Sequence, residues 1–209
     1  DFWSFIYGKN DGKYATRIEF LFDIIRKKDV ANQDTYYTFN QYIEIIKERS
    51  ENESPQDIVK QLWKEVSDKF HLFNGWFKDK KLYHIIGYLR YKEKEINEIE
   101  AIYYNPENET MPKVYSKLKE KALESIQDLE LRALTYTYDH EKIFDVLTLF
   151  NILSIIDCEK ESVRFSFSDF YEHSWDIEHV RSQTPKNLDG DGKKDWFACN
   201  LEYFSGVNY

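Results

Sequence analysis

The segment Asp176-Ile177-Glu178-His179-Val180 sets two carboxylates and an imidazole in an apolar frame, the densest polar group of this kind in the chain. As a strand it would place Asp176 and Glu178 on one face and His179 on the other. A histidine at a strand end can take a proton from water, while the carboxylate beside it holds a divalent ion against a phosphate. The segment indicates metal-assisted phosphodiester hydrolysis, with a structural histidine beside surface acids as the alternative.

A second segment with metal-binding character lies at residues 187–195. Its Asn and Asp residues follow the first part of an EF-hand calcium loop, with Gly192 at the glycine position. The last ligand position is occupied by Ala198, where the loop needs a bidentate Glu, so a solvated loop is the favoured interpretation and a calcium site the alternative. The remaining histidines stand among aromatic or charged residues and are expected to be structural or exposed: His71, His84, His140 and His173.

Basic residues alternate with aromatic ones between residues 76 and 94. The cations are Lys78, Lys80, Lys81, Arg90, Lys92 and Lys94, and the aromatic residues are Trp76, Phe77, Tyr83 and Tyr91. Such a mixture can follow a nucleic-acid backbone and stack on bases. Lys78, Lys80 and Lys81, together with Arg181, are therefore candidate nucleic-acid-binding residues, and a solvated helix face interrupted by Glu93 and Glu95 is the alternative.

The overall composition limits the class of protein. The chain has 209 residues, a formal net charge of −9 and only 7 Gly and 4 Pro, which argues against turn-rich barrels, propellers and linkers. The negative charge restricts nucleic-acid contact to a local patch. Two separate cysteines, Cys158 and Cys199, are typical of a reducing cytoplasm. No membrane span is expected, because the most apolar stretch, residues 143–156, is too short.

Helical periodicity dominates the elements that must position these residues. We expect helices at residues 18–25, 38–46, 54–74, 82–91, 95–103, 112–131 and 142–156. Ser54, Pro55 and Asp57 form a typical helix start, with an N-cap, a first-turn proline and an acid. The most apolar of these predicted helices, at residues 142–156, is expected to be the centre of the packing.

The pattern changes after Asp157. Residues 163–167 alternate as a short strand does, and residues 175–180 are a second candidate strand. The predicted fold class is mainly α: an aromatic-rich helical bundle over residues 1–160, followed at residues 161–209 by the start of a small α/β unit. Because the chain opens on Asp1 and stops within an aromatic run, we expect it to be part of a longer protein.

Residues 176–183 resemble the Glu-His-Ile-x-x-Gln opening of an HNH nuclease domain, as found in GmrSD-type bacterial defence proteins, the modification-dependent type IV restriction enzymes. The resemblance continues through short aromatic motifs upstream, at residues 2–5, 16–22, 36–39, 82–89 and 165–167. It implies a ββα-metal fold for the C-terminal unit, and helices that join the end of a ParB-like half to that unit.

The resemblance also implies roles for individual residues. His179 matches the general base, Glu178 matches a metal ligand, and Asn200 matches the Asn of the second motif segment, with Cys199 at the position of the family's glycine. It implies Mg²⁺ or a similar ion and DNA, modified or not, as the partners of the intact protein. No tightly bound metal is expected in this chain alone.

A non-catalytic function remains open beside the nuclease. An aromatic-rich helical body can link two catalytic domains or recognise a partner without chemistry of its own, and it can form a homo-oligomer. We expect a cytoplasmic protein in either case, and the two hypotheses differ in what they require of His179.

Overall fold

The structure, a computed structural model, describes residues 2–7, 14, 16–29, 31–158, 160, 162–173 and 175–177. Helix occupies 65% of them and no strand occurs among them, so the prediction of a mainly α protein is confirmed. The helices are α1 (Ser4–Tyr7), α2 (Arg17–Ile25), α3 (Tyr37–Arg49), α4 (Pro55–Lys78), α5 (Lys80–Tyr91), α6 (Ile96–Tyr103), α7 (Met111–Leu123), α8 (His140–Asp157) and α9 (Phe167–Glu172).

The chain divides into two compact units, Asp1–Trp175 and Asp176–Tyr209. All of the helices α1–α9 belong to the first unit. Of the second unit, the described residues are Asp176 and Ile177, so the α/β unit predicted for the C-terminal part lies almost wholly outside the described residues.

The start of α4 follows the predicted capping pattern. Ser54 is the N-cap and its hydroxyl accepts a hydrogen bond from the Asp57 N–H at 3.3 Å, with Pro55 at the first helical position. The expected end near residue 74 is wrong, since the helix continues through Gly75 to Lys78. A glycine inside a helix costs only about 1 kcal/mol relative to alanine, which the packing of Phe73 and Trp76 in the core can offset.

The predicted helix over residues 112–131 is also shorter than expected. It ends at Leu123, where the chain enters turns over residues 124–128. The Ser125 hydroxyl donates to the Ala122 carbonyl at 2.7 Å and lies 2.8 Å from the Tyr88 hydroxyl. A serine side chain that bonds the last helical carbonyls competes with continuation of the helix.

The centre of the first unit is α5, which contacts α1, α4, α7 and α8. Every residue of α5 except Lys81 is buried. The prediction that residues 142–156 form the centre is wrong: α8 buries Thr148, Leu149, Ile152 and Ile156, and its Phe150 stays 65% exposed. The sequence predicts α8 as the centre because its mean apolarity is high. Burial depends instead on how many neighbouring helices surround an element.

Gly87 allows the closest packing against α5. A Cβ built on this residue would lie 2.1–2.8 Å from ring atoms of Phe167, at the start of α9. The Phe167 ring is buried, and its centroid lies 5.3 Å from that of Tyr83 in an edge-to-face arrangement. The missing side chain of Gly87 therefore leaves the space in which Phe167 of α9 packs against α5.

Residues 163–167 do not form the predicted strand, although their side chains alternate in burial as those of a strand do. Phe165 and Phe167 are buried, and Arg164 and Ser166 between them are half-buried. Residues 163–166 have no regular structure, and Ser166 caps α9 by accepting from the Asp169 N–H at 3.4 Å. Side chains of α5, instead of a neighbouring strand, bond the backbone of this segment, as described below.

No helix in the described part of the chain has the length and apolarity that a membrane span requires.

The Gly87–Phe167 contact predicts opposite effects of one substitution at two helical glycines. Gly87→Ala should lower the free energy of unfolding by about 1–3 kcal/mol, because the new methyl overlaps a buried ring. Gly75→Ala, which has no atom within 4 Å of the added Cβ, should raise it by up to about 1 kcal/mol through helix propensity. Urea unfolding of the three proteins measures both changes.

A double variant separates steric overlap from a general loss of helix stability. Gly87→Ala should cost less stability in a Phe167→Leu background than in the wild type, because the ring atoms that the methyl meets are gone. Equal losses in the two backgrounds would contradict the steric explanation.

Candidate functional site

The residues predicted to carry catalysis lie outside the described residues. This holds for Glu178, His179, Arg181 and Asn200, and also for the calcium-like segment at residues 187–198. The described part of the motif is its beginning, where the Asp176 Oδ1 accepts a hydrogen bond from the Ile177 N–H at 2.7 Å. Their roles therefore remain predictions from the sequence.

The aromatic residues of the predicted nucleic-acid-binding stretch belong to the core. Trp76, Tyr83 and Tyr91 are buried among neighbouring helices, and Phe77 is half-buried between Phe2 and Tyr83. A base needs an open aromatic face for stacking. The alternation of charges with rings predicts a surface stretch, but every residue of α5 except Lys81 is buried.

Two of the six cations in this stretch are buried and bond backbone carbonyls. The Lys80 ammonium donates to the carbonyl oxygens of Cys158 at 2.7 Å and Lys160 at 3.0 Å. The Arg90 guanidinium donates to the carbonyls of Ile6, Tyr7 and Lys94. Burial lowers the pKa of Arg90 from its ordinary value. Neither cation is placed to reach a phosphate.

Lys78, the last residue of α4, and Lys81, in the first turn of α5, are the cations of this group that remain exposed. They line a pocket of about 510 Å³ at the start of the helix, together with Asp79. The Asp79 carboxylate already accepts from the Leu82 N–H at 2.9 Å, and the Lys81 ammonium lies 5.5 Å from the centroid of the Tyr115 ring. An anion here would meet two lysines and one competing carboxylate.

His84 is a buried polar side chain with both ring nitrogens bonded to backbone groups. It is fully buried; its Nδ1 lies 2.6 Å from the Lys80 carbonyl, and its Nε2 accepts from the Phe165 N–H at 2.9 Å. Because Nε2 accepts a backbone proton, Nδ1 carries the ring hydrogen and donates it to Lys80. Burial lowers the pKa of His84 to about 4, which keeps the neutral ring that this arrangement requires. Of the two expected alternatives, structural or exposed, His84 is the structural one.

Neighbouring side chains extend this arrangement along the backbone of residues 158–165. The Tyr83 hydroxyl donates to the Phe165 carbonyl at 2.9 Å, and Lys80 bonds the carbonyls of Cys158 and Lys160. The Arg164 guanidinium donates to the carbonyls of Phe77 and Lys78 and lies 5.0 Å from the centroid of the Tyr83 ring. We call these contacts the α5 clamp. It holds the chain segment that leads, through α9, to the motif beginning at Asp176.

A polar cleft of about 630 Å³ lies between the end of α5, α8 and α9. Within it the Asp145 carboxylate accepts from the Tyr91 hydroxyl at 2.7 Å and from the Lys92 ammonium at 2.6 Å. Burial, and then Asp145, raise the pKa of Tyr91, so the hydroxyl stays a donor. His140, His173 and Trp175 complete the rim.

The cleft does not have the donor set of a metal centre. Across the described residues, His, Cys, Asp and Glu side chains form no group of three or more that could hold a metal ion. The Asp145 oxygens are used by Tyr91 and Lys92, which makes the cleft a structural polar junction. Cys158 is a free thiol of intermediate exposure.

The α5 clamp predicts a pH-dependent stability. Between pH 6.5 and 4 the unfolded state gains a proton on His84 and the folded state does not, so stability is complete above pH 6.5 and falls as the pH drops. The difference of about 2.5 pH units corresponds to about 3 kcal/mol. Urea unfolding from pH 7 to 4 should show this loss in the wild type, and a loss smaller by that amount in His84→Gln.

His71→Gln is the matched control, because this exposed residue of α4 lies away from the clamp. It should reproduce the pH dependence of the wild type. If His84→Gln has the same pH dependence as both, the assignment of the neutral buried ring is wrong.

Comparisons with known proteins identify no family for this chain. No family model matches the chain, and no curated protein or solved structure is similar enough to it to count as a match. The HNH nuclease assignment is therefore a proposal, and it depends on the resemblance at residues 176–183.

Proposed function

We propose that this chain belongs to a metal-dependent DNA endonuclease of the type IV restriction kind, in which a helical scaffold carries an HNH-type nuclease unit. The observation that carries the proposal is the motif at residues 176–183, where His179 directly follows Glu178 in an apolar frame. The finer fold of that unit, an α/β element of the ββα-metal type at residues 161–209, is part of the proposal.

The chemistry assigns one task to each residue. His179, as the neutral imidazole, takes a proton from water as the water attacks phosphorus, and the phosphodiester bond to the leaving oxygen breaks. Glu178 and Asn200 provide oxygen ligands of the kind that Mg²⁺ prefers. A bound Mg²⁺ would stabilise the negative charge that develops on the phosphate.

DNA contact in this proposal depends on a small number of cations. The formal charge of −9 opposes a general attraction to DNA, so a local patch is needed. Arg181 is in the motif itself, and Lys78 and Lys81 are exposed beside α5. Lys80 is excluded from this role here, because its ammonium is buried against two carbonyls.

The helical body would act as the scaffold of the nuclease. Its contribution is the α5 clamp, in which Lys80, Tyr83 and His84 bond the backbone of residues 158–165. A scaffold that bonds backbone groups fixes the segment before the motif independently of the side chains there. We place the intact protein in the cytoplasm, where DNA is its partner, with a ParB-like half preceding the helices.

A second candidate function is a non-catalytic interaction module. One observation favours it specifically: α2, α3 and α4 form an apolar groove of about 930 Å³ whose wall includes the exposed side chains of Phe39 and Trp63. Exposed apolar patches of this kind are typical of binding surfaces. This function needs no chemistry at His179, which is what separates it from the nuclease.

The nuclease proposal predicts selective effects of two substitutions in the longer protein that contains this chain. His179→Ala should lower the cleavage rate by about 10²–10⁴-fold, because the general base is lost. Glu178→Ala should raise the Mg²⁺ concentration needed for half-maximal cleavage, because an oxygen ligand is lost. Cleavage rates measured against Mg²⁺ concentration, each with a thermal melt, give both results.

His173→Ala and Glu172→Ala are matched controls, since both residues are exposed at the end of α9 and close to the motif in sequence. Both should leave the rate and the Mg²⁺ dependence unchanged. Wild-type cleavage by His179→Ala, with an unchanged melting temperature, would remove the nuclease assignment and favour the interaction module.

Residues 1–209 alone are predicted to bind no metal tightly and to leave DNA uncut. A catalytic metal centre needs several ligands in fixed geometry, and Glu178 and Asn200 are the two ligands that the motif identifies. Incubation of the purified chain with plasmid DNA and Mg²⁺, followed by gel analysis, measures this. Robust cleavage abolished by EDTA would show that the active site is complete within these residues and includes groups other than those named.

A further inference from the structure

The guanidinium of Arg90, near the end of α5, is buried without a carboxylate beside it. The residue is 7% exposed. Its Nε donates to the Ile6 carbonyl at 2.8 Å. Its Nη1 donates to the Lys94 carbonyl at 2.5 Å, and its Nη2 lies 3.4 Å from the Tyr7 carbonyl. No carboxylate of the described residues lies within 4.0 Å of the guanidinium. A buried charge is costly unless an opposite charge neutralises it.

The same guanidinium has N–H groups to spare. An arginine side chain carries five N–H donors, and the three carbonyls use one donor each. The other two, one on each Nη, have no acceptor in the part of the chain that the structure describes. Arg90 lines a cavity of about 50 Å³, so a ligand in this cavity could accept from them.

Helix α6 begins at this cavity. Its first two residues, Ile96 and Asn97, line the cavity together with Arg90. The N-cap residue, Glu95, makes no side-chain hydrogen bond to the first turn. Neither the Ile96 N–H nor the Asn97 N–H has a hydrogen-bond partner among the described residues. The free N–H groups and the dipole of a helix favour an anion at this end.

The charged residues that line the cavity are positive on balance. The cations are Arg90, Lys27 and Lys28, and the acids are Asp23 and Glu95. The Lys28 ammonium lies 3.8 Å from the Asp23 carboxylate, so these two charges neutralise each other. Glu95 is exposed, and water screens its attraction to Arg90. The cavity therefore has local positive charge, although the chain as a whole carries a charge of −9.

The size of the cavity selects a small ligand. Its volume of about 50 Å³ holds a few water-sized groups, since one water needs about 10–15 Å³ of such space. Pockets that bind drug-sized molecules and cofactors are about 300–1,000 Å³. A chloride ion or an anion of similar size fits here, and a nucleotide does not.

We propose that this cavity is a binding site for a small monovalent anion of chloride size. The anion accepts hydrogen bonds from the two spare N–H groups of Arg90 and from the first-turn N–H groups of α6, and it neutralises the buried guanidinium. Because this guanidinium also bonds the carbonyls of Ile6 and Lys94, the anion strengthens the junction of α1, α5 and α6. The site is independent of the nuclease assignment and can be tested without DNA.

Chloride titration of residues 1–209 at constant ionic strength tests the site. Sodium gluconate, whose anion is too large for the cavity, is replaced stepwise by sodium chloride to about 200 mM. The melting temperature of the wild type should rise towards a plateau, by about 4–7 °C for half-saturation near 10 mM. Broadening of the chloride NMR signal by the protein measures the binding directly.

Asn97→Asp separates this site from general salt effects. The new carboxylate would lie at the second position of α6, where an acid suits the helix dipole, so the helix should stay folded. Its negative charge beside the cavity opposes an anion there. Half-saturation should therefore require at least about 10-fold more chloride than in the wild type.

Gln56→Glu is the matched control, because it adds the same charge at the second position of α4 and Gln56 does not line the cavity. It should respond to chloride as the wild type does. A wild type with no chloride-dependent rise in melting temperature and no line broadening overturns the proposal, and the cavity then holds water. An unchanged response in Asn97→Asp, or equal weakening by both substitutions, overturns it as well, because chloride would then act elsewhere on the chain.

Discussion

The close contact between Gly87 and Phe167 is the constraint on which the arrangement of the first unit depends. Helix α5 is surrounded by α1, α4, α7 and α8, and on its remaining surface α9 can approach only because residue 87 has no Cβ. The buried Phe167 ring then fixes the segment before it, whose backbone the α5 clamp bonds. A protein core is packed as densely as an organic crystal, so this contact leaves no room for even one extra methyl.

The polar chemistry of α5 follows from its burial. A helix with Lys80, His84 and Arg90 inside a core is costly unless every donor and acceptor finds a partner. The two cations bond backbone carbonyls, and the histidine is neutral with both ring nitrogens used. The same residues that looked like a nucleic-acid surface in the sequence are thus the means by which chain segments distant in sequence are joined.

Two sides of the helical unit differ in how far their side chains are already occupied by contacts within the chain. The clamp side, with α5 and α9, bonds the backbone of residues 158–165, and its polar groups are occupied by one another. On the other side, α2, α3 and α4 form an apolar groove at which Phe39 and Trp63 stay more than half exposed. In the proposed function, chemistry belongs to the motif at residues 176–183 and support to the α5 clamp.

The sequence by itself determined the helical class and the start of α4. These depend on local signals: a 3.6-residue period and a Ser-Pro-x-Asp cap. Whether His84 is structural or exposed was decided by the tertiary structure, which buries it. The sequence also predicted the alternating burial of Phe165 and Phe167. Which helix is central was decided only by tertiary structure, because α8 is the more apolar helix and α5 the more surrounded one. The bonding of residues 158–165 was likewise beyond the sequence, since its partners are about 80 residues away and a local pattern contains no information on such distant neighbours.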